Sequence, residues 1–147
     1  MATERETTAE EVLELLAFLP GFEEPGRSFA DWDKGSFDRE RKIATLPYPN
    51  YAEDVNHFYR VIHTPQWLFG GYLDLKPGEL AQDPERIADA SLEEIKALLT
   101  WCVRGERFCD GHMDEVFKLG IPQAALRRLK QLHDCSGLGF AKGNESS

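Results

Sequence analysis

Ser91-Leu92-Glu93-Glu94-Ile95-Lys96-Ala97-Leu98-Leu99-Thr100-Trp101-Cys102 is the stretch on which the fold turns. Ser91 and Glu94 stand at capping-box spacing, where a hydroxyl and a carboxylate each satisfy a backbone N–H at a helix start. Leu92, Ile95, Leu98, Leu99 and Cys102 then share one helical face. The spacing predicts a central core helix around which the other elements must pack. Trp101 lies opposite Leu92 on that helix, so it must cover another element or an interface with a partner or second copy.

Outward from this helix the same local signals recur. Thr8 with Glu11 is a second capping box, and Val12, Leu15, Leu16 and Leu19 predict a helix over 9–19, stopped by Pro20-Gly21. Pro47-Tyr48-Pro49 predicts an extended strut, because each proline pushes its predecessor out of the helical region. The strut leads to a helix capped by Asn50 with Glu53, with Val55, Phe58, Tyr59 and Ile62 on its apolar face and Pro65 as its limit. Asp83-Pro84 starts a short helix ending near Ala90. Asp110 is placed to cap a helix bearing Met113, Val116 and Phe117 that Gly120 ends, and Pro122 opens a last helix facing inward through Ala125, Leu129 and Leu132.

The expected fold class is therefore all-α (mainly helical), a compact single domain of about six helices. It includes a long ordered loop from Phe22 to Leu46, pinned by Phe22, Phe29, Trp32 and Phe37, with room for one short helix. Residues 66–82 read equally as a helix broken at Gly70-Gly71 or as an extended excursion. Residues 1–7 and 137–147, polar or glycine-rich, are expected to fray about a domain spanning 8–136.

Composition bounds the function. With 147 residues, 41% of them apolar, the chain can bury a core without metal or disulfide staples. Its three cysteines lack framework spacing, and no apolar run approaches a bilayer span, so a reducing, cytoplasmic setting away from membranes is expected. The net charge of −9 divides into −5 for residues 1–50, −5 for 51–100 and +1 for 101–147. Such a field repels a phosphate backbone, so direct nucleic-acid binding is not expected.

One run stands apart. Arg104-Gly105-Glu106-Arg107-Phe108-Cys109-Asp110-Gly111-His112 sets five ionisable side chains besides a cysteine around two glycines. Leu92, Leu99 and Glu106 stand at steps of seven, so a helix continuing through Gly105 would project Glu106 from its apolar arc. A carboxylate there needs a guanidinium or equivalent donors. Arg128, which flanks the inward face of the last helix, is the expected partner, leaving Arg104 or Arg107 to meet solvent or a ligand. As a structural junction the run would clamp three helices, with Gly105 and Gly111 giving sharp turns. As a site, Arg104 and Arg107 would join the helix start at Asp110 in holding an anion, with His112 beside them. Cys109 and His112 with His133 and Cys135 supply zinc-type donors, but a one-residue gap in the second pair is not a zinc spacing, so no metal is expected. A Cys109–His112 nucleophile lacks an orienting third group. No phosphate loop, dinucleotide fingerprint or serine elbow is present, so no cofactor is expected.

The Arg104–Phe108 run, Gly111, Gly120, Leu126-Arg127-Arg128-Leu129, the Pro47-Tyr48-Pro49 strut and Tyr51 together resemble an uncharacterised family of small bacterial proteins, a domain of unknown function. The resemblance covers 46–132 and more loosely the first helix, with Phe22 to Thr45 peculiar to this chain. It implies no activity, cofactor or catalytic residue. The expectation is a non-enzymatic protein-interaction domain with a protein partner or as a homodimer. Its rivals are an enzyme or small-anion binder at the Arg104–His112 run, and an acidic mimic of nucleic acid that inhibits a basic partner.

Overall fold

A computed structural model describes residues 7–45, 47–108 and 111–135. In chain order they form α1 (Ala9–Leu16), α2 (Leu19–Phe22), β1 (Ala30–Asp33), β2 (Ser36–Asp38), β3 (Ile43–Thr45), β4 (Tyr48–Tyr51), α3 (Glu53–Ile62), a 3-10 turn (Tyr72–Leu75), α4 (Pro77–Ala81), α5 (Pro84–Ile87), α6 (Leu92–Phe108), α7 (His112–Lys118) and α8 (Ile121–Asp134). The chain is thus mainly helical, with short antiparallel strands that an all-α reading with six helices omits. No described helix is long and apolar enough to cross a membrane.

Local chemistry sets the helix starts. Ser91 N–H donates to Glu94 Oε1 at 2.9 Å and Glu94 N–H to Ser91 Oγ at 3.1 Å. Thr8 and Glu11 form the same reciprocal pair at 2.9 and 3.2 Å, and Asp83 accepts from Arg86 N–H at 3.3 Å. Each such cap stabilises its helix by about 1 kcal/mol. Ile95, Leu98, Leu99 and Cys102 are fully buried, and α6 packs against α3, α4, α7, α8 and the 3-10 turn. Burial in apolar surroundings pushes the Cys102 thiol up to about 12, which keeps it a packing group.

Several boundaries move. Thr7, assigned to the frayed end, is buried, and its hydroxyl donates to the Gln66 carbonyl at 2.6 Å. Pro20-Gly21 does not stop the helix. α1 ends at Leu16, and Pro20 sits in the first turn of α2, where its missing N–H costs nothing. Asn50 is not a cap but a strand residue; Ala52 precedes α3 without a side-chain cap. Residues 66–82 resolve into turns, the 3-10 turn and α4.

The aromatic loop is a β-hairpin. Ala30 faces Tyr51, Trp32 faces Pro49 and Asp33 faces Tyr48 in one ladder; Ser36 faces Thr45 and Asp38 faces Ile43 in the other. Both ladders lie in one continuous register, so they are inner and outer halves of a single hairpin spanning 30–51. Asp38 Oδ1 accepts the N–H groups of Glu40 and Arg41, and Lys42 takes a positive φ of 56°, which turns the chain. Two fastenings hold the root. Phe29 stacks on Phe117 of α7 at 4.6 Å, within a cluster that includes Phe22 and Phe58. Arg27 lies over the Phe29 ring at 4.5 Å and grips Asp54 of α3 through two hydrogen bonds, 2.7 and 3.0 Å long. Hydrogen bonding from Arg27 holds the Asp54 carboxyl below its usual value.

Candidate functional site

Strand alternation puts Ala30 and Trp32 on the same hairpin face as Tyr51 and Pro49. That face meets the junction of α6 and α7. Because α6 runs unbroken through Gly105 to Phe108, Glu106 does project where the heptad steps place it. Its carboxylate is satisfied by other groups than expected. Glu106 Oε1 accepts the Tyr51 hydroxyl and the Met113 N–H, both at 2.9 Å, and Oε2 accepts the Gly111 N–H at 3.4 Å. The Tyr51 oxygen in turn accepts the Asp114 N–H at 3.4 Å.

These bonds solve one problem. The first turn of α7 has N–H groups without intrahelical partners, and its N-cap, Gly111, makes no side-chain cap bond. Glu106 from the preceding helix and Tyr51 from the hairpin supply what a local cap would. The negative charge also sits at the positive end of the α7 dipole. Tyr51 stays a protonated donor: burial, then the hydrogen bond and charge of Glu106, raise its pKa above the usual phenolic value.

Trp32 makes the second attachment. Its indole Nε1–H donates to Asp114 Oδ2 at 2.8 Å, and Lys118 Nζ lies 3.1 Å from the same oxygen. Asp114 is only 4% exposed, so this carboxylate needs both partners. Gly111 makes room for the indole. At its φ of 95° a Cβ would be strained, and it would lie 2.6 Å from Trp32 carbons. Gly105 serves by close approach and not by a turn: it is helical, and a Cβ there would overlap the His112 ring. His112 packs edge-on against Trp101, with ring centroids 4.9 Å apart, so Trp101 covers α7 within the fold. His112 Nε2 is buried without a hydrogen-bond partner in the described structure, and burial lowers the pKa of the ring.

The predicted residues therefore part company. Glu106 and His112 meet at the junction, and Arg104 is half-buried on α6 with no ion-pair partner among the described residues. Arg128 is elsewhere. Its Nε donates to the Ala90 carbonyl at 2.7 Å and its Nη1 to Gln131 Oε1 at 3.1 Å, so it ties α8 to the connection between α5 and α6 and makes no pair with Glu106. Cys109 and Asp110 lie outside the described residues, as does the side chain of Arg107. The expected cap from Asp110 and the zinc-type donor Cys109 fall there. Among the described residues no group of three or more His, Cys, Asp or Glu is placed to hold a metal ion. Sequence reasoning missed Trp32 and Asp114 as site members, although the alternation Ala30-Asp31-Trp32-Asp33 carried the strand signal.

Fold and junction define a helical domain that mounts a β-hairpin on a helix end capped by other elements. The chain belongs to a family of unknown function (DUF6508), whose model matches residues 7–135. The matched range includes the hairpin. No curated protein and no solved structure matches the chain.

Proposed function

We propose that this chain is a non-enzymatic protein-interaction domain that presents its hairpin as an arm. One contrast carries the reading. The inner half of the hairpin is fastened through Trp32 and Tyr51, whereas the outer half leaves Phe37 62% and Ile43 54% exposed. Apolar side chains on both faces of a two-stranded ribbon with open edges offer another chain apolar contacts and backbone groups to pair with. The charged run then serves as the socket of the arm. An anion at this helix start would have to displace Glu106 from the N–H groups of Gly111 and Met113. That favours the interaction reading over a small-anion site or an enzyme. A reducing, cytoplasmic setting fits a chain whose Cys102 is a buried packing thiol.

The test is affinity capture from lysate of the cells that make the protein, comparing wild type with Phe37→Asp and Arg104→Ala, each first shown to be folded. The proposal expects partners that Phe37→Asp loses and Arg104→Ala keeps. The reverse pattern would move function to the α6 junction, and capture of nothing specific by any form would end the interaction reading.

A further inference from the structure

The outer hairpin is chemically unlike the body that carries it. Residues 34–43 hold the cations Lys34, Arg39, Arg41 and Lys42 against the carboxylates Asp38 and Glu40, a local excess of two positive charges in a chain of net −9. The excess sits at the tip, where the turn spans 39–42. Phe37, paired with Ala44, and Ile43, paired with Asp38, project to opposite faces of the ribbon. The arm thus carries an exposed apolar side chain on each face and a cationic end. As a two-stranded sheet it also keeps two open edges.

An arm of this kind fits an acidic surface, and the protein itself has one. Asp83, Glu85, Asp89 and Glu94, around the start of α5 and the start of α6, line an open depression in which Arg86 is the one basic lining residue among those described. Among the described residues none covers the Phe37 and Ile43 side chains, which are 62% and 54% exposed. We propose that the occupant is a second copy: the basic, apolar arm of one chain docks on the acidic depression of another. This deepens the interaction reading and rests on it. The pairing is reciprocal, each copy giving an arm and receiving one, so a two-fold arrangement closes at the dimer and leaves no free arm to propagate an open chain. Nucleic acid is a poorer occupant. The field of the body repels phosphate, and Asp38, 3.8 Å from Arg41, already offsets one tip cation.

Sedimentation equilibrium of the full chain at low and high salt reads the association directly. Wild type should dimerise at low salt and weaken as salt screens the contact. Phe37→Asp with Ile43→Asp should weaken association by about tenfold or more, because it strips the arm of its apolar contacts and brings two carboxylates to an acidic surface. Reversing the tip (Arg41→Glu with Lys42→Glu) or the depression (Asp83→Lys with Glu85→Lys) should each give a monomer. Mixing the two reversed proteins should restore a dimer, because each then meets its opposite charge. All these positions are at or near the surface, and circular dichroism verifies that each variant is folded. A wild type monomeric at low salt overturns the second-copy occupant, and so does a charge-swapped mixture that stays monomeric. If such a monomer still loses captured partners on Phe37→Asp, the proposed function survives and the occupant is a different protein. If it captures nothing, both fall.

Discussion

Glu106→Ala should destabilise the protein by about 3 kcal/mol, and about 1 kcal/mol of that loss should be coupled to Tyr51. The carboxylate accepts two well-formed bonds at 2.9 Å, from the Tyr51 hydroxyl and the Met113 N–H, and a longer one from Gly111. A hydrogen bond to a charged acceptor contributes about 1.5–3 kcal/mol, and loss of a helix cap costs about 1 kcal/mol. Water reaches a half-buried site and replaces part of what is lost, which brings the sum to about 3 kcal/mol. Tyr51→Phe removes the shared bond and the acceptor for Asp114 N–H, and should cost about 1.5 kcal/mol. Because the bond between them is lost in either variant while the Asp114 N–H loses its acceptor only with the Tyr51 hydroxyl, the double variant should cost about 3.5 kcal/mol, a coupling near 1 kcal/mol. Urea unfolding of the four proteins, with shared slopes, measures the cycle. Additive losses, or a Glu106→Ala loss below about 1 kcal/mol, would refute the claim that this carboxylate caps α7 and holds the hairpin.

Three further outcomes follow from the same geometry. Gly105→Ala should destabilise wild type by about 2 kcal/mol through overlap with His112, yet in a His112→Ala background it should stabilise by about 0.5–1 kcal/mol as alanine does in a helix; thermal melts decide the sign. His112 is held below its ordinary value of 6.5 mainly by burial, against the opposing charges of Glu106 and Glu115. The unfolded chain therefore takes up this proton first, so stability is intact above pH 6.5 and falls as pH drops from there to the folded value; His112→Gln should flatten that slope in a series of melts. Phe37→Asp, exposed on the arm, should change unfolding free energy by under about 0.5 kcal/mol, and a larger loss would mean that the fold covers this side chain.

What was legible in the chain was local. Thr8 with Glu11, Ser91 with Glu94 and Asp83 before Pro84 act within one helical turn, so residue identity and spacing suffice to find them. The α6 face was legible for the same reason, down to the placement of Glu106 seven residues beyond Leu99. The partner of Glu106 was not. A helical wheel sets the direction of a side chain but not what another element brings to it, and the N–H groups of a helix end satisfy a carboxylate as a guanidinium does. Arg128 instead answers a different unpaired group, the Ala90 carbonyl. The hairpin was hidden because period-two alternation marks a ribbon that buries one face, and the outer ribbon buries neither Phe37 nor Ile43. Only its inner half alternates, and there Pro49 and Asn50 read as a strut and a cap.

Amide hydrogen exchange at Met113, followed by NMR in wild type and Glu106→Gln, tests the central claim most directly. The N–H of Met113 in the first turn of α7 has Glu106 Oε1 as its partner. Protection in wild type that is lost or much reduced in the variant, while Ile95 and Leu98 in α6 stay protected, is the predicted result. Equal exchange at Met113 in both proteins would contradict the account, because α7 would then start without the carboxylate and the junction would not be the mount of the hairpin.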